Sequence, residues 1–254
     1  MTGPRAAPPV LLLHSIATRG DMWAPQIGVW SSRFRLIVPD LPGHGQTLHP
    51  PIQRMEDYAD ALAELLDDLA LPSVAIVGLS LGGMIGQAFA LRHPQRLSAL
   101  VLAQTSAHSN KQTVALWEQR MQAATEQGMR AQVPAFLQRW FTAEFLQSAP
   151  LTTRWIADMI AATPLAGYLS AAAAIQRLDH LALLGTIATP TLVVAGAEDK
   201  AIPPDAARAM CSHLPHARMS VIERAAHLAN VEQPVAFSET VGQFLDQSLG
   251  TTSR

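Results

Sequence analysis

An apolar run that breaks at a glycine–serine–glycine turn and then continues with helical character constrains this chain most. Residues 74–77 read Val-Ala-Ile-Val, Gly78 and Gly82 flank Ser80, and small and apolar residues continue to Leu91. A short β-branched run is typical of a buried parallel strand, and a helix rich in glycine and alanine packs closely on a sheet. Glycines at these positions permit a sharp turn that lifts the serine hydroxyl out of the sheet edge. We predict a strand–turn–helix with Ser80 as a candidate nucleophile; the alternative is a tight turn without chemistry.

Strand-like runs recur along the chain and are mostly separated by helical patterns. One such pattern is the apolar stripe from Met55 to Leu69, and a further helix is predicted over about 231–249. This alternation predicts an α/β fold with a mostly parallel sheet of about six main strands and helices on both faces. The first strand begins close to Met1, which leaves little room for an opening antiparallel hairpin. The predicted strands cover residues 10–14, 35–39, 74–77, 99–103, 191–195 and 219–222.

The strand pattern stops between residues 107 and 185, where helical segments carry three of the five tryptophans, Trp117, Trp140 and Trp155. Large aromatic side chains of this kind often line a small-molecule site. We therefore predict a helical cap (residues 107–185) inserted in a core formed by residues 1–106 and 186–254. Plain packing between the cap helices is the alternative role for these aromatics.

A serine nucleophile needs a general base, and a carboxylate that holds the base in the right tautomer. His227 follows a late strand in a short loop, and Asp199 ends the preceding strand in a polar turn. The order serine, acid, histidine is the one expected of this architecture. The other position for the acid, after the fourth strand, holds Gln104, which carries no charge, and the neighbouring Glu198 is expected to be exposed. We predict a catalytic triad of Ser80, Asp199 and His227.

The oxyanion that forms in such a reaction is stabilised by backbone N–H groups. The candidates are Leu81, directly after the nucleophile, and Ile16, in the loop after the first strand. His14 ends that strand, where it is expected to support the loop through hydrogen bonds rather than take part in the reaction.

Charge and composition limit the ligand classes. The formal net charge is −2 and the 18 Lys and Arg residues are scattered, which argues against nucleic acid as a partner. The histidines lack metal-ligand spacing, so neither a metal nor a cofactor is predicted. The sequence contains neither a membrane-spanning run nor a secretory signal, which favours a cytoplasmic location. We expect a small-molecule substrate; the oligomeric state stays open and includes a homo-oligomer.

With the triad in place, the chain resembles the α/β-hydrolase superfamily along nearly its whole length. Several segments outside the turn are similar to the 3-oxoadipate enol-lactonase group. These are Asp21-Met-Trp-Ala-Pro-Gln26, Gly82-Gly-Met-Ile-Gly-Gln87, Arg139-Trp-Phe-Thr142, Ala162-Thr-Pro164, Gly167-Tyr168, Ala174-Ile-Gln-Arg-Leu-Asp179 and Ala226-His-Leu-Ala-Asn-Val-Glu-Gln-Pro234. The superfamily often has glycine where this chain has Ser15 and Ala17.

The resemblance implies an α/β-hydrolase fold and hydrolysis of a small carboxylated enol-lactone, through an acyl-enzyme on Ser80, in the degradation of aromatic compounds. The carboxylate of such a substrate needs a cation, for which Arg139, beside Trp140, or Arg177 are the cap candidates. Either arginine is equally explained as a solvated charge on a helix surface.

Three other functions fit the same residues. A general carboxylesterase and a cofactor-free perhydrolase of haloperoxidase type share the triad with a lactonase. A non-catalytic ligand receptor on a hydrolase scaffold would keep the pocket, and failure to turn over an activated ester would identify it.

Overall fold

Six strands form one sheet in which every neighbouring pair is parallel, in the order β2-β1-β3-β4-β5-β6. The computed structural model describes residues 1–47 and 50–251. His49, one of the histidines without ligand spacing, lies outside the described residues. The predicted parallel sheet of six strands is confirmed. The strands are β1 (Pro9–Leu13), β2 (Arg35–Ile37), β3 (Val74–Leu79), β4 (Leu97–Ala103), β5 (Thr191–Gly196) and β6 (Ala217–Ile222).

Helices flank this sheet on both faces, as predicted. The first and last helices pack together, and the second packs on the third, which lies against the central strands. Short 3-10 helices cover Gly20–Trp23, Pro94–Arg96 and Leu181–Thr186. The α-helices are α1 (Ala24–Trp30), α2 (Met55–Asp68), α3 (Leu81–Arg92), α4 (Lys111–Trp140), α5 (Ala143–Ser148), α6 (Pro150–Ala162), α7 (Leu165–Gln176), α8 (Pro204–His213), α9 (Ala229–Glu232) and α10 (Pro234–Leu249).

The helix predicted over 231–249 is two helices, α9 and α10, separated at Gln233. Gln233 has φ −126° and ψ 63°, which is not helical. Proline lacks an N–H group and disfavours the helical conformation of the residue before it, so Pro234 begins a new helix instead of continuing the old one. The break leaves Glu232 at the end of α9, where its side chain is buried.

The four helices α4–α7 lie between β4 and β5 in the chain and are called the cap helices below. The 30-residue α4 packs on α6 and α7 and is bent at Gly128, which has φ 76° and ψ 165°. In the described part of the chain no single helix is long and apolar enough to cross a membrane. The pair α6 and α7 meets that test only when counted together, and the two are bent by 93°.

The cap helices meet the core at a backbone contact between Gly43, in the loop after β2, and Gly167, near the start of α7. A Cβ atom on Gly167 would overlap the carbonyl oxygen of Gly43. Any side chain at position 167 therefore pushes α7 away from the core loop.

We expect Gly167→Ala to lower the free energy of unfolding by about 1–3 kcal/mol, the usual cost of forcing an extra group into a packed site. Gly28→Ala in α1 is the matched control, because a Cβ there has open space around it. It should raise the stability by about 0.5–1 kcal/mol through helix propensity. Urea denaturation of both variants measures the difference, and equal changes would contradict the contact.

Candidate active site

Ser80 occupies the turn between β3 and α3 in a conformation that few non-glycine residues adopt, with φ 55° and ψ −113°. Its N–H donates to the carbonyl of Ala103 over 2.8 Å, and the Thr105 hydroxyl donates to its carbonyl over 2.8 Å. A Cβ on Gly78 would overlap the Gly82 carbonyl, and a Cβ on Gly82 would overlap the Leu13 carbonyl. The predicted strand–turn–helix is confirmed, and the glycines are needed because backbone passes directly beside them.

His227 and Asp199 form a buried hydrogen bond of 2.8 Å between imidazole Nδ1 and carboxylate Oδ2. The second oxygen of Asp199 accepts from the backbone N–H groups of Ala201 and Ile202, at 2.8 and 2.9 Å. Because a carboxylate only accepts, the proton of this bond sits on Nδ1. This tautomer leaves Nε2 as the nitrogen that can accept a proton from a hydroxyl.

Ser80 and His227 line one cavity of about 300 Å³, which is large enough for a small organic molecule. The loops that follow the strands form one wall of this cavity, and α4 and α7 form the opposite wall. The Trp140 ring lies nearly parallel to the His227 ring, with centroids 6.1 Å apart and planes at 28°. Besides Ser80 and His227, the residues that line the cavity include Ile16, Met84, Trp117, Arg120, Phe136, Arg139, Trp140, Ile175 and Ile202.

The loop after β1 brings Ile16 to the same cavity as Ser80. Its neighbour Ala17 has φ 55°, so the loop takes up a left-handed conformation without the glycine that is usual there. As the first residue of α3, Leu81 has an N–H group without an acceptor inside the helix. The two predicted oxyanion donors therefore belong to backbone segments that meet at Ser80.

His14 supports the loop rather than facing a substrate. Its Nε2 accepts from the N–H of Leu41 at 2.8 Å, and its Nδ1 donates to the Ser15 carbonyl at 2.8 Å. The side chain is fully buried beside His44, with ring centroids 5.3 Å apart. This geometry agrees with the predicted supporting role.

Two arginines of α4 line the cavity, Arg139 as predicted and Arg120 in addition. The Arg139 guanidinium lies 5.0 Å from the centre of the Phe136 ring, and that of Arg120 lies 5.0 Å from the Trp117 ring. Burial, and then the positive charge of Arg120, lowers the pKa of Arg139 to about 10, so it stays protonated at neutral pH. Within the described residues, neither guanidinium has a carboxylate at ion-pair distance. The cavity thus holds two positive charges that no carboxylate among residues 1–47 and 50–251 pairs with.

Sequence reasoning missed Arg120 although a signal was present. Arg120 follows Trp117 by three positions, and Arg139 follows Phe136 by three, so each arginine lies on the same helical face as an aromatic residue. What the pattern does not reveal is that the bend at Gly128 turns both faces toward one cavity.

Arg177, the other predicted substrate contact, lies elsewhere. It lines a separate cavity of about 130 Å³ with Arg54, Glu56 and His180, and its Nη1 donates to the Gln53 carbonyl at 3.2 Å. The expectation that it faces the substrate site is corrected, because the last turn of α7 directs it toward the start of α2.

In the ranges 1–47 and 50–251, no three His, Cys, Asp or Glu side chains come together in a group that could hold a metal ion.

Known proteins resemble this chain in both sequence and structure. The sequence profile of the family described as alpha/beta hydrolase fold matches residues 8–234. The chain is 31% identical over 240 residues to 3-oxoadipate enol-lactonase 2 of Acinetobacter baylyi, covering 94% of this chain and 89% of that protein. The crystal structure of the enol-lactonase from Burkholderia xenovorans LB400 is 33% identical, with a TM-score of 0.92, and covers 96% and 94%. A thermophilic esterase from Thermogutta terrifontis is 30% identical, with a TM-score of 0.91, and covers 97% and 92%. These matches confirm the resemblance drawn from the motifs.

The two buried histidines next to the site make stability depend on pH. Burial lowers the pKa of His14 to about 4, and burial together with the charge of His14 lowers that of His44 to about 3. The unfolded chain protonates both rings below the ordinary value of 6.5, while the native protein does not. The unfolded state then binds more protons, so the free energy of unfolding falls as the pH drops below about 6.5.

We expect a loss of about 1 kcal/mol for each imidazole between about pH 7 and pH 5.5. Denaturation of the wild type and of His14→Gln at both pH values measures this, and the variant should show the smaller pH dependence. Equal pH dependence in the two proteins would contradict the neutral, buried state of His14.

Proposed function

This chain belongs to the α/β-hydrolase family, and from that premise we propose that it is a serine hydrolase that opens a small carboxylated lactone. We propose 3-oxoadipate enol-lactone or a related compound as the substrate. The observation that carries the proposal is the pair Arg120 and Arg139, two positive charges in the cavity that Ser80 and His227 line, for which the described residues supply no carboxylate at ion-pair distance. The relative from Acinetobacter baylyi, a 3-oxoadipate enol-lactonase, supports the same substrate class.

In the proposed reaction, Nε2 of His227 takes the proton of the Ser80 hydroxyl as the oxygen attacks the lactone carbonyl. Asp199 holds the ring in the required tautomer and stabilises the imidazolium that forms. The N–H groups of Leu81 and Ile16 bind the oxyanion of the tetrahedral intermediate.

Collapse of the intermediate breaks the ring ester bond, and His227 returns the proton to the departing enol oxygen. This oxygen remains tethered to the acyl group on Ser80, because a lactone carries its own leaving group. His227 then activates a water molecule that hydrolyses the acyl-enzyme and releases a ring-opened acid.

The cap helices supply the specificity in this proposal. A half-buried guanidinium gains from a partner that restores its charge-assisted hydrogen bonds, and a carboxylate fits its planar donors in pairs. Trp140 and Phe136 bring flat apolar surfaces to the same cavity, and these suit an unsaturated ring.

A general carboxylesterase is the second candidate, because the aromatic walls also accept a neutral ester and the Thermogutta terrifontis relative is an esterase. The two candidates differ in what the arginines contribute.

We expect Asp199→Asn to lower kcat by about 10⁴-fold, because an amide favours the wrong imidazole tautomer. Glu198→Gln is the matched control, because this substitution removes the same charge from an exposed side chain one residue away. The measurement is hydrolysis of an activated ester in a pH-stat. A larger loss in the control would mean that the acid is misassigned.

We expect Arg139→Met and Arg120→Met each to lower kcat/KM for a carboxylated lactone, with a loss of about 2–5 kcal/mol in transition-state binding, because the substrate anion loses a half-buried cation. A neutral ester of similar size should be affected far less. Arg177→Met is the control for the effect of removing any arginine, since Arg177 lines the other cavity. Equal losses on both substrates would make the arginines structural, and no loss on either would favour the esterase.

A further inference from the structure

Glu232 has a buried carboxylate that the proposed chemistry does not use. Its side chain is 5% exposed, and it lies between the loop that carries His227 and the end of the cap helix α4. Oε2 accepts from the N–H of Ala226 at 2.7 Å. Oε1 accepts from the N–H and the hydroxyl of Thr142, at 2.9 and 2.6 Å. One carboxylate therefore joins the residue before His227 to the residue that starts the next cap helix.

The residue after His227 is also tied to the cap helices. The N–H of Leu228 donates to the carbonyl of Trp140 at 3.1 Å, and the Trp140 ring lies alongside the imidazole. His227 thus sits between two connections to the same short cap segment, residues 140–142. Asp199 fixes Nδ1 of the ring, while these connections fix the backbone from which the ring projects.

A carboxylate is the group that this arrangement requires. Three donors converge on it, and only a carboxylate has acceptors on both of its oxygens. Glutamine has one acceptor oxygen, so its amide nitrogen would face either Ala226 or Thr142, donor against donor. Burying a charge costs free energy, and apolar packing often gives as much stability, so an ionic group here is better explained by orientation than by stability.

We propose that Glu232 is a positioning residue: it sets the orientation of His227 relative to Ser80 and couples it to the position of the cap helices. The proposal rests on the proposed function, because it presumes that His227 is the base for Ser80.

The test measures the reactivity of Ser80 without the natural substrate. Diethyl para-nitrophenyl phosphate reacts with an activated serine: the bond from Oγ to phosphorus forms, the bond to para-nitrophenolate breaks, and the serine proton passes to the base. We expect Glu232→Gln to slow this labelling, and to lower kcat for para-nitrophenyl acetate, by about 10- to 100-fold, as small displacements of a catalytic group do. KM should change less than about threefold, because the cavity walls are unchanged.

Three further variants make the result specific. Glu239→Gln removes an exposed carboxylate from α10 and should behave as the wild type. Thr142→Val removes the hydroxyl that Glu232 accepts from and should lower kcat in the same direction. Thr142→Ser keeps that hydroxyl and should restore the wild-type rate. Should Glu232→Gln fail to fold, the contrast between the two Thr142 variants decides the proposal.

The outcomes separate this proposal from the proposed function. A wild-type protein that is not labelled, or a Ser80→Ala variant that keeps its activity, would overturn both. A labelled wild type with unchanged labelling rate and kcat in Glu232→Gln would overturn the positioning role alone, even if the melting temperature fell. Equal rates in Thr142→Val and Thr142→Ser would also overturn it.

Discussion

The close backbone contacts around Ser80 are the constraint on which the rest of the structure depends. Ser80 has φ 55°, a strained conformation that persists only where neighbouring groups hold it. Here the Ala103 carbonyl and the Thr105 hydroxyl, both from the end of β4, hold its peptide groups. On the other side Gly82 lies against the last carbonyl of β1. The start of α3 is therefore packed between two strand ends, and this brings the Ile16 loop to Ser80.

The parallel sheet collects the remaining groups at the same edge. Because all six strands run in one direction, the loops that follow β1, β3, β5 and β6 emerge together. Asp199 follows β5 and His227 follows β6, and their hydrogen bond of 2.8 Å joins two neighbouring loops. In the proposed reaction these loops supply mainly a nucleophile, a base and N–H donors, which leaves the selection of a substrate to other parts of the cavity. The positive charges in the cavity come from α4, where the bend at Gly128 lets both Arg120 and Arg139 reach it.

What could be predicted from the sequence follows the range of the interactions involved. The six strands and the Ser80 turn depend on local patterns of apolar and glycine residues, and these were predicted correctly. The hydrogen bond between His227 and Asp199 follows from the same topology, because both residues come after strands whose ends meet. The catalytic roles of these residues stay predictions, as do the core and cap boundaries and the cytoplasmic location.

The errors arose where the position of a side chain depends on how distant elements pack. Arg177 and Arg120 look alike in the sequence, since both fall in the predicted helical region 107–185 near aromatic or apolar residues. Only the direction of the last turn of α7 and the bend in α4 decide that one faces α2 and the other the Ser80 cavity. The helix break before Pro234, by contrast, could have been predicted from the sequence, because proline disfavours a helical conformation in the residue before it.

The division between a chemical core and a selective cap is not complete, because the two share the segment 140–142. Trp140 lies beside the imidazole of His227 and lines the cavity, while its carbonyl accepts from Leu228. Arg139, one residue earlier, has a charge disfavoured by burial and by Arg120. In the proposed function, the substrate anion that relieves this repulsion binds next to the residues that hold His227. The two proposals thus place the cation that binds the substrate and the connections that orient His227 on the same short stretch of backbone.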